Sequence, residues 1–250
     1  MKKVIIIIAS LMLIAGLAFL LFEPVSTQIN SYTAGKIADE FDEAVKQAEK
    51  TEKKKPKKSS ENRSQNTQQK NEVTKESLKA LLKDSKKYNK NIFSNQGTVS
   101  TSEYTSAALN LKKYGIYDNI YGYISAPSIG MKLPIYLGAN DTMLSHGAAH
   151  LCNTSLPLSG KNVNCVLAGH TGFRGRVFFD NLSGLDIGSK VSVKTYFEKL
   201  NYKVINKHKV SPDNTNDVYI RPGRNLLTLV TCVSRGNGKF DRYIVVCEKN

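Results

Sequence analysis

The sequence predicts a mainly β domain, either a barrel or a sandwich, preceded by N-terminal helices. From Ile120 onward, short apolar runs rich in β-branched residues alternate with glycine, proline, asparagine and aspartate. About eight short strands without long helices between them are typical of barrels and sandwiches. The predicted strands are Tyr121–Ala126, Leu133–Tyr136, Val163–Leu167, Val191–Val193, Lys203–Ile205, Val218–Ile220, Leu226–Val230 and Tyr243–Val246.

The N-terminal region carries a predicted membrane anchor. Residues 4–22 contain no charged side chain and have about the length that a helix needs to cross a bilayer. Lys2 and Lys3 precede this run, which favours a cytoplasmic location for residues 1–3. We therefore expect a single-pass protein of the cell membrane whose remaining chain lies on the extracellular face. A cleaved secretion signal is the alternative.

Residues 23–73 are predicted to hold an amphipathic helix and a disordered linker. Within 29–48 the apolar residues recur at near-helical spacing, at Ile37, Phe41, Val45 and Ala48. Residues 49–72 contain no hydrophobic side chain and include a cluster of lysines, which is typical of an extended, solvated linker.

The segment 74–118 is predicted to begin with a second helix, over residues 74–90. This helix would carry its apolar side chains on one side, at Leu78, Leu81, Leu82 and Tyr88. The polar stretch that follows has no clear pattern and is a candidate lid. The β domain then occupies residues 119–250.

The composition restricts the class of partner. The chain has 250 residues, 40% of them hydrophobic, and a formal net charge of +15. Such a charge suits an anionic membrane, a cell wall or nucleic acid. No nucleic-acid-binding motif is present, so nucleic acid is not a predicted partner.

Three chemically reactive side chains lie at the ends of predicted strands. Cys232 ends one apolar run, His170 follows another, and Arg242 begins a third. If the strands that carry Cys232 and Arg242 form a hairpin around the loop 233–241, the two residues face each other. A thiol, an imidazole and a guanidinium can serve as nucleophile, acid/base and oxyanion stabiliser. We therefore predict a cysteine-dependent acyl-transfer enzyme.

The other cysteines and histidines have simpler interpretations. Cys165 and Cys247 are predicted to be small buried hydrophobes, and His150 a structural histidine. A disulfide between Cys152 and Cys165 is one possibility outside the cytoplasm. No Cys-x-x-Cys motif occurs, and neither a metal nor a cofactor is predicted. Arg235 lies in the predicted loop, where its position is less well defined than that of Arg242.

These residues resemble the sortases, the cysteine transpeptidases of Gram-positive cell surfaces. Thr228–Cys232 resembles the family's Thr-Leu-x-Thr-Cys motif, Leu167–His170 its histidine motif, and Arg242 its arginine. The resemblance extends over roughly residues 119–247. Further matching segments are Ile124–Ile129, Leu133–Tyr136, Gly147–His150, Thr154–Pro157 and Phe178–Leu182.

The resemblance implies an eight-stranded sortase β-barrel and a defined reaction. A Leu-Pro-x-Thr-Gly-like sorting signal of a pilin or surface protein would be cleaved, with a thioester formed on Cys232. A pilin lysine or a peptidoglycan cross-bridge amine would then resolve the thioester. A cell-wall or papain-like cysteine hydrolase and a non-catalytic wall-binding module are the rival interpretations.

The class of sortase is left open by the sequence. The predicted helix that carries Lys87–Asn89 resembles the N-terminal helix of the pilin-type, class C enzymes. In that class the segment before the barrel covers the active site. This chain lacks the Asp-Pro-aromatic lid of that class, so class B or D is an alternative. We expect an open or loosely covered groove, with Tyr104 or Tyr114 as the alternative plug.

Overall fold

The strands of the structure form one closed barrel. The computed structural model describes residues 10–14, 16–17, 33, 35–48, 71–96, 104–172 and 177–250. Within them, eight strands close in the order β1-β2-β3-β4-β7-β8-β6-β5. The strands are β1 Ile120–Ala126, β2 Met131–Leu137, β3 Ala148–His150, β4 Val163–Ala168, β5 Lys190–Thr195, β6 Lys199–Val210, β7 Asn225–Gly236 and β8 Lys239–Lys249. The predicted eight-stranded barrel is therefore confirmed.

Alternation along the strands decides which residues fill the barrel. In β4, β7 and β8 the odd-numbered positions point into the core, because successive strand residues face opposite sides. The inward residues of these strands include Cys165, Leu167, Leu227, Leu229, Val245 and Cys247. Even-numbered positions therefore face outward, and these include Cys232 and Arg242. The core of the barrel thus fixes the face on which both reactive side chains lie.

Two helices pack on the outside of the barrel. Residues 35–48 are helical and form α1, and Lys75–Asn95 forms α2. A capping box between Thr74 and Ser77 begins α2, which extends five residues beyond the predicted end at position 90. A short helix, α3 Asp141–Leu144, lies between β2 and β3. The apolar sides of α1 and α2 join one cluster with β1, β2 and the segment 111–116.

Polar side chains attach α2 to the barrel. The hydroxyl of Tyr121 donates to Ser85 at 3.1 Å. The side chain of Asn89 donates to the carbonyl of Leu156 at 2.9 Å and accepts from its amide at 2.8 Å. Because these buried groups are satisfied by the barrel, the helix has one preferred docking position.

The segment α1 docks on β1 and β5. The Phe41 ring lies 4.4 Å from that of Tyr196, measured between centroids. Asp42 accepts from the hydroxyl of Tyr123 at 3.1 Å and pairs with Lys194 at 3.5 Å. An apolar contact with charged pairs at its edge holds this helix against the barrel.

One predicted strand is wrong and one observed strand was not predicted. The 3₁₀ helix Asn216–Val218 and an irregular stretch replace the predicted strand Val218–Ile220. The side-chain amide of Asn164 donates to the carbonyls of Asp217 and Tyr219, so side chains satisfy this backbone without a strand neighbour. The unpredicted strand is β3, which at three residues is too short to show alternation.

The hairpin between β7 and β8 is tighter than predicted. In place of the nine-residue loop 233–241, the strands continue to Gly236 and from Lys239. Asn237 and Gly238 form the turn, with φ angles of 52° and 71°. Asn-Gly is the preferred dipeptide where both turn residues need positive φ. Cys232 therefore lies within β7 and not at its end.

Several predictions fall on parts of the chain that the structure does not describe. Most of the predicted membrane span 4–22 and of the linker 49–72 lies outside the described residues. Within the residues that are described, no helix is long and apolar enough to cross a membrane. All four cysteines are free, so the possible disulfide between Cys152 and Cys165 is not formed.

Candidate active site

Cys232 and Arg242 are direct cross-strand neighbours. Antiparallel pairing of β7 with β8 sets the two residues opposite each other, as the sequence predicts. The Nη1 atom of Arg242 donates to the Sγ atom of Cys232 at 3.4 Å. Both side chains are half-buried on the outer face of the sheet. The guanidinium of Arg242 therefore places a permanent positive charge and a hydrogen-bond donor next to the sulfur of Cys232.

His170 lies on the other side of Cys232. Strand β4 runs parallel to β7, with Ala168 opposite Val230. The amide of Gly169 donates to the carbonyl of Val230 at 3.1 Å, so the segment after β4 stays hydrogen-bonded to β7. Continuing this register places His170 level with Cys232, one strand away. Three neighbouring segments of the sheet thus carry the reactive groups: the imidazole follows β4, the thiol lies on β7 and the guanidinium on β8.

Two threonines fix the His170 segment relative to β7. The buried hydroxyl of Thr231 donates to the carbonyl of Gly169 at 2.7 Å. The same hydroxyl lies 2.6 Å from that of Thr171. These bonds flank His170 on both sides, and the residue before Cys232 makes them. Sequence analysis assigned no role to either threonine, although each is directly adjacent to a candidate reactive residue.

Close packing behind His170 requires glycine at position 169. A Cβ atom there would lie 2.7 to 2.9 Å from the ring of Phe179. The amide of Phe179 also donates to the carbonyl of His170 at 3.0 Å. The Gly-His step is therefore held from both sides, by Phe179 and by Thr231, which restricts where the imidazole can lie.

A small apolar cluster lies on the same face of the sheet as Cys232 and Arg242. Leu226, Ile244 and Val246 form a small buried cluster there, and Val230 packs against it. Val230 lies two residues before Cys232 and therefore faces the same side.

Arg235 is engaged elsewhere. Its guanidinium pairs with Asp241 across the hairpin, and the hydrogen bond lowers the pKa of that carboxyl below its usual range. Arg242, by contrast, reaches the sulfur of Cys232.

The remaining cysteines and His150 lie inside the protein. His150 is fully buried, and burial lowers its pKa to about 4. Its Nε2 atom is 3.1 Å from the carbonyl oxygen of Ser155. Burial raises the pKa of the Cys165 thiol, and raises that of Cys247 to about 12. Such thiols are poor nucleophiles because they stay protonated at neutral pH.

The candidate plugs differ in where they bind. The hydroxyl of Tyr114 donates to Asp84 of α2 at 2.7 Å, and its ring is part of the helix-side core. Tyr114 therefore does not cover Cys232. The carbonyl of Tyr104 accepts from the amides of Ala139 and Cys152, which attaches this residue beside β2 and β3.

In the described part of the chain, no group of three or more histidine, cysteine or acidic residues is arranged to hold a metal ion.

Comparison with known proteins gives a family match and several relatives. The family model of the sortase domain matches residues 124–250. Sortase A of Bacillus anthracis is 30% identical over 145 residues, which are 58% of this chain and 63% of that protein. Sortase A of Streptococcus agalactiae is 30% identical over 144 residues, 56% of each protein. The match therefore spans less than two thirds of the length of these relatives.

Solved structures show the same fold over a larger share of the chain. Sortase C of Clostridium perfringens with its C-terminal cell wall sorting motif is 32% identical, with a TM-score of 0.61. The match covers 72% of this chain and 92% of that one. Sortase C1 of S. agalactiae, at 24% identity and a TM-score of 0.63, supports the fold alone; coverage is 72% and 93%. The family model matches half of the chain, the fold is the same eight-stranded barrel, and the sheet brings the motif residues together. This chain therefore belongs to the sortase family.

Proposed function

We propose that the chain is a membrane-anchored cysteine transpeptidase. It cleaves a Leu-Pro-x-Thr-Gly-like sorting signal and transfers the acyl group to an amine. The observation that carries the proposal is the contact between Arg242 and the Cys232 sulfur, with His170 one strand away. Family membership supports the reaction class, and this set of side chains supplies the groups it needs.

The first half of the reaction forms a thioester. The Cys232 thiolate attacks the threonine carbonyl carbon of the signal, forming a C–S bond. Arg242 donates to the oxyanion of the tetrahedral intermediate. The C–N bond to glycine then breaks, and His170 gives its proton to the departing amine.

The second half transfers the acyl group. The acceptor amine attacks the thioester carbon and loses a proton to His170. A new C–N bond forms, the C–S bond breaks, and Cys232 returns to its initial state.

A sorting-signal substrate and the pilin-type class are supported by one relative in particular. The C. perfringens enzyme at 32% identity was solved with a C-terminal cell wall sorting motif. We propose that a pilin or surface protein supplies the signal, and that a pilin lysine or a peptidoglycan cross-bridge amine accepts it. The charge-free run 4–22 supports a location in the cell membrane, with the barrel outside.

A peptide assay tests the proposed function. Full-length protein in neutral detergent is mixed with a fluorogenic sorting peptide, alone and with either a lysine peptide or an oligoglycine amine. A transpeptide product indicates a sortase, and the better acceptor distinguishes pilin assembly from wall anchoring. Hydrolysis without transfer to any amine would indicate a cysteine hydrolase. An unchanged peptide would contradict enzymatic activity on this substrate class.

A further inference from the structure

A cavity of about 270 Å³ lies far from Cys232, between α2 and the chain that joins β3 to β4. It is much larger than the roughly 30 Å³ that one water occupies in the liquid. Val163, the first residue of β4, lines the cavity, whereas His170 lies beyond the other end of that strand. At about 3.3 Å per residue, the seven steps from Val163 to His170 span roughly 23 Å. The cavity is therefore separate from the candidate active site.

Asparagine side chains hold the walls of this cavity in place. Asn89 binds both the amide and the carbonyl of Leu156. Asn225 donates to the carbonyls of Leu158 and Gly160, each at 2.9 Å. Because these bonds fix the connecting chain to the helix and to the barrel, the cavity is preformed.

The rim of the cavity is strongly positive. Lys86 and Lys90, one turn apart on α2, face Lys161 across it. Throughout the described ranges, no carboxylate pairs with any of these three lysines. Glu198 is close, but it accepts from the amide and hydroxyl of Ser159, and Lys249 also donates to that hydroxyl. Lys249 donates to the hydroxyl and not to the carboxylate, so Glu198 adds one negative charge and Lys249 one positive charge beside the three lysines of the rim.

The floor of the cavity is apolar. Leu158 and Val163 are buried beneath it, and the Phe93 ring lies exposed at its edge. An anion alone would leave this surface uncovered, so the fitting ligand combines negative charge with a short carbon skeleton. Lysine ammonium groups bind phosphate as point charges and place few geometric demands on it.

We propose that this cavity binds a phosphodiester unit of an anionic polyol-phosphate polymer. Lys86, Lys90 and Lys161 surround the phosphate, and the polyol lies against Phe93, Leu158 and Val163. A recess of this size fits one strand of a polymer better than the flat array of headgroups on a bilayer. The site has a single exposed aromatic ring, whereas a nucleic-acid groove has several on which to stack bases.

Calorimetric titration of the full-length protein with a short poly(glycerol phosphate) tests the proposal. The first variant carries Lys86→Gln, Lys90→Gln and Lys161→Gln. The matched control carries Lys75→Gln, Lys79→Gln and Lys113→Gln, which remove the same charge from exposed positions outside the cavity. We expect saturable binding that weakens about tenfold in the cavity variant, since each exposed ion pair contributes little alone. The control variant should bind within about twofold of the native protein.

Further arms separate the proposed ligand from other anions. Anionic phospholipid vesicles and a single-stranded oligonucleotide of equal charge are titrated under the same conditions. Equal or tighter binding of either one overturns the assignment to a polyol phosphate. Equal weakening in both triple variants, or no saturable binding by the native protein, overturns the cavity as the site.

Discussion

The chain contains two cysteine and histidine pairs, and their surroundings differ in every respect that matters for chemistry. Cys232 and His170 lie half-buried on neighbouring segments of the sheet, and the guanidinium of Arg242 donates to the Cys232 sulfur. Cys152 and His150 lie two residues apart in the sequence and are buried. The environment therefore decides which pair can react, because the residue types are the same.

The buried pair belongs to the docking surface of α2. The hydroxyl of Tyr88 lies 3.8 Å from the Cys152 sulfur and accepts from the Asn153 amide at 2.8 Å. The ring of Tyr88 contacts His150 edge-on, at 6.5 Å between centroids. A histidine in such a place is neutral at pH 7, whereas Cys232 and His170 are only half-buried.

Replacement of each cysteine tests this difference most directly. We expect Cys232→Ala to lower the rate of peptide cleavage by several orders of magnitude, because the proposed covalent nucleophile is lost. Cys152→Ala should keep most of the activity. The measurement is cleavage of the sorting peptide, with thermal unfolding as a check on folding. Substantial turnover by Cys232→Ala, or loss of turnover only in a well-folded Cys152→Ala protein, would reverse the assignment.

The guanidinium should matter through its shape as well as its charge. Arg242→Lys is expected to lower kcat/KM about a hundredfold or more, since an ammonium cannot reproduce a planar donor fork beside the sulfur. Arg235→Ala, which removes the partner of Asp241, should change kcat/KM by less than about threefold. Steady-state kinetics on the two proteins decide the matter. The opposite order of effects would mean that Arg235 is the functional arginine.

The hydrogen bonds of Thr231 should affect the pair Cys232 and His170 and not the buried pair. Thr231→Val removes the hydroxyl that joins Gly169 to Thr171, so His170 is held less firmly beside Cys232. With a net loss of about 1 kcal/mol for each hydrogen bond, we expect kcat/KM to fall about tenfold. Thr231→Ser keeps the hydroxyl and serves as the control. Equal activity of the Val and Ser proteins would show that the bridge does not position His170.

The buried histidine should appear in the pH dependence of stability. Burial lowers the pKa of folded His150 to about 4, from about 6.5 in the unfolded chain. The unfolded state therefore binds more protons between these values, so stability is complete above about pH 6.5 and falls towards pH 4. The expected loss is roughly 3 kcal/mol. Denaturant unfolding at several pH values measures it.

A neutral replacement isolates this contribution. His150→Gln should be less stable at pH 7, yet should lose less free energy of unfolding than the native protein on going to pH 4. Peptide cleavage by the folded variant should be nearly unchanged. An identical pH slope in both proteins would show that other groups cause the acid sensitivity.

Local pairing could be predicted from the sequence, and long-range pairing could not. A hairpin without a bulge sets Cys232 opposite Arg242 only if it is centred on Asn237, as the predicted loop 233–241 is. The observed turn is centred between Asn237 and Gly238, and a bulge between Ser234 and Gly236 restores this pairing. The predicted pairing is therefore right although the predicted nine-residue loop is wrong. The contact between His170 and β7 depends on parallel pairing of segments about sixty residues apart, which no local pattern indicates. For the same reason the bridge through Thr231 was not predicted.

Both errors in the strand prediction come from hydrogen bonds between the backbone and segments distant in the sequence. The apolar stretch Val218–Ile220 resembles a strand, but its backbone bonds to side-chain amides. Asn164 donates to the carbonyl of Tyr219, and Gln96 donates to the carbonyl of Ile220 and accepts from its amide. Strand β3 is short and polar at its end, and pairing with β2 and β4 on both sides makes it a strand. Periodicity reports burial, and it cannot report which distant side chain completes a hydrogen bond.

If the proposed membrane anchor is correct, the docking of α1 on β1 and β5 limits the distance between the barrel and the membrane. If residues 4–22 cross the bilayer, only residues 23–34 connect the membrane to a helix already attached to the barrel. Twelve residues extend to roughly 40 Å at most. The long segment 49–70 cannot add to this length, because α1 and α2 at its two ends both pack on the same domain. The barrel would then stay close to the bilayer on a short tether, and its protein substrates would have to approach the membrane surface.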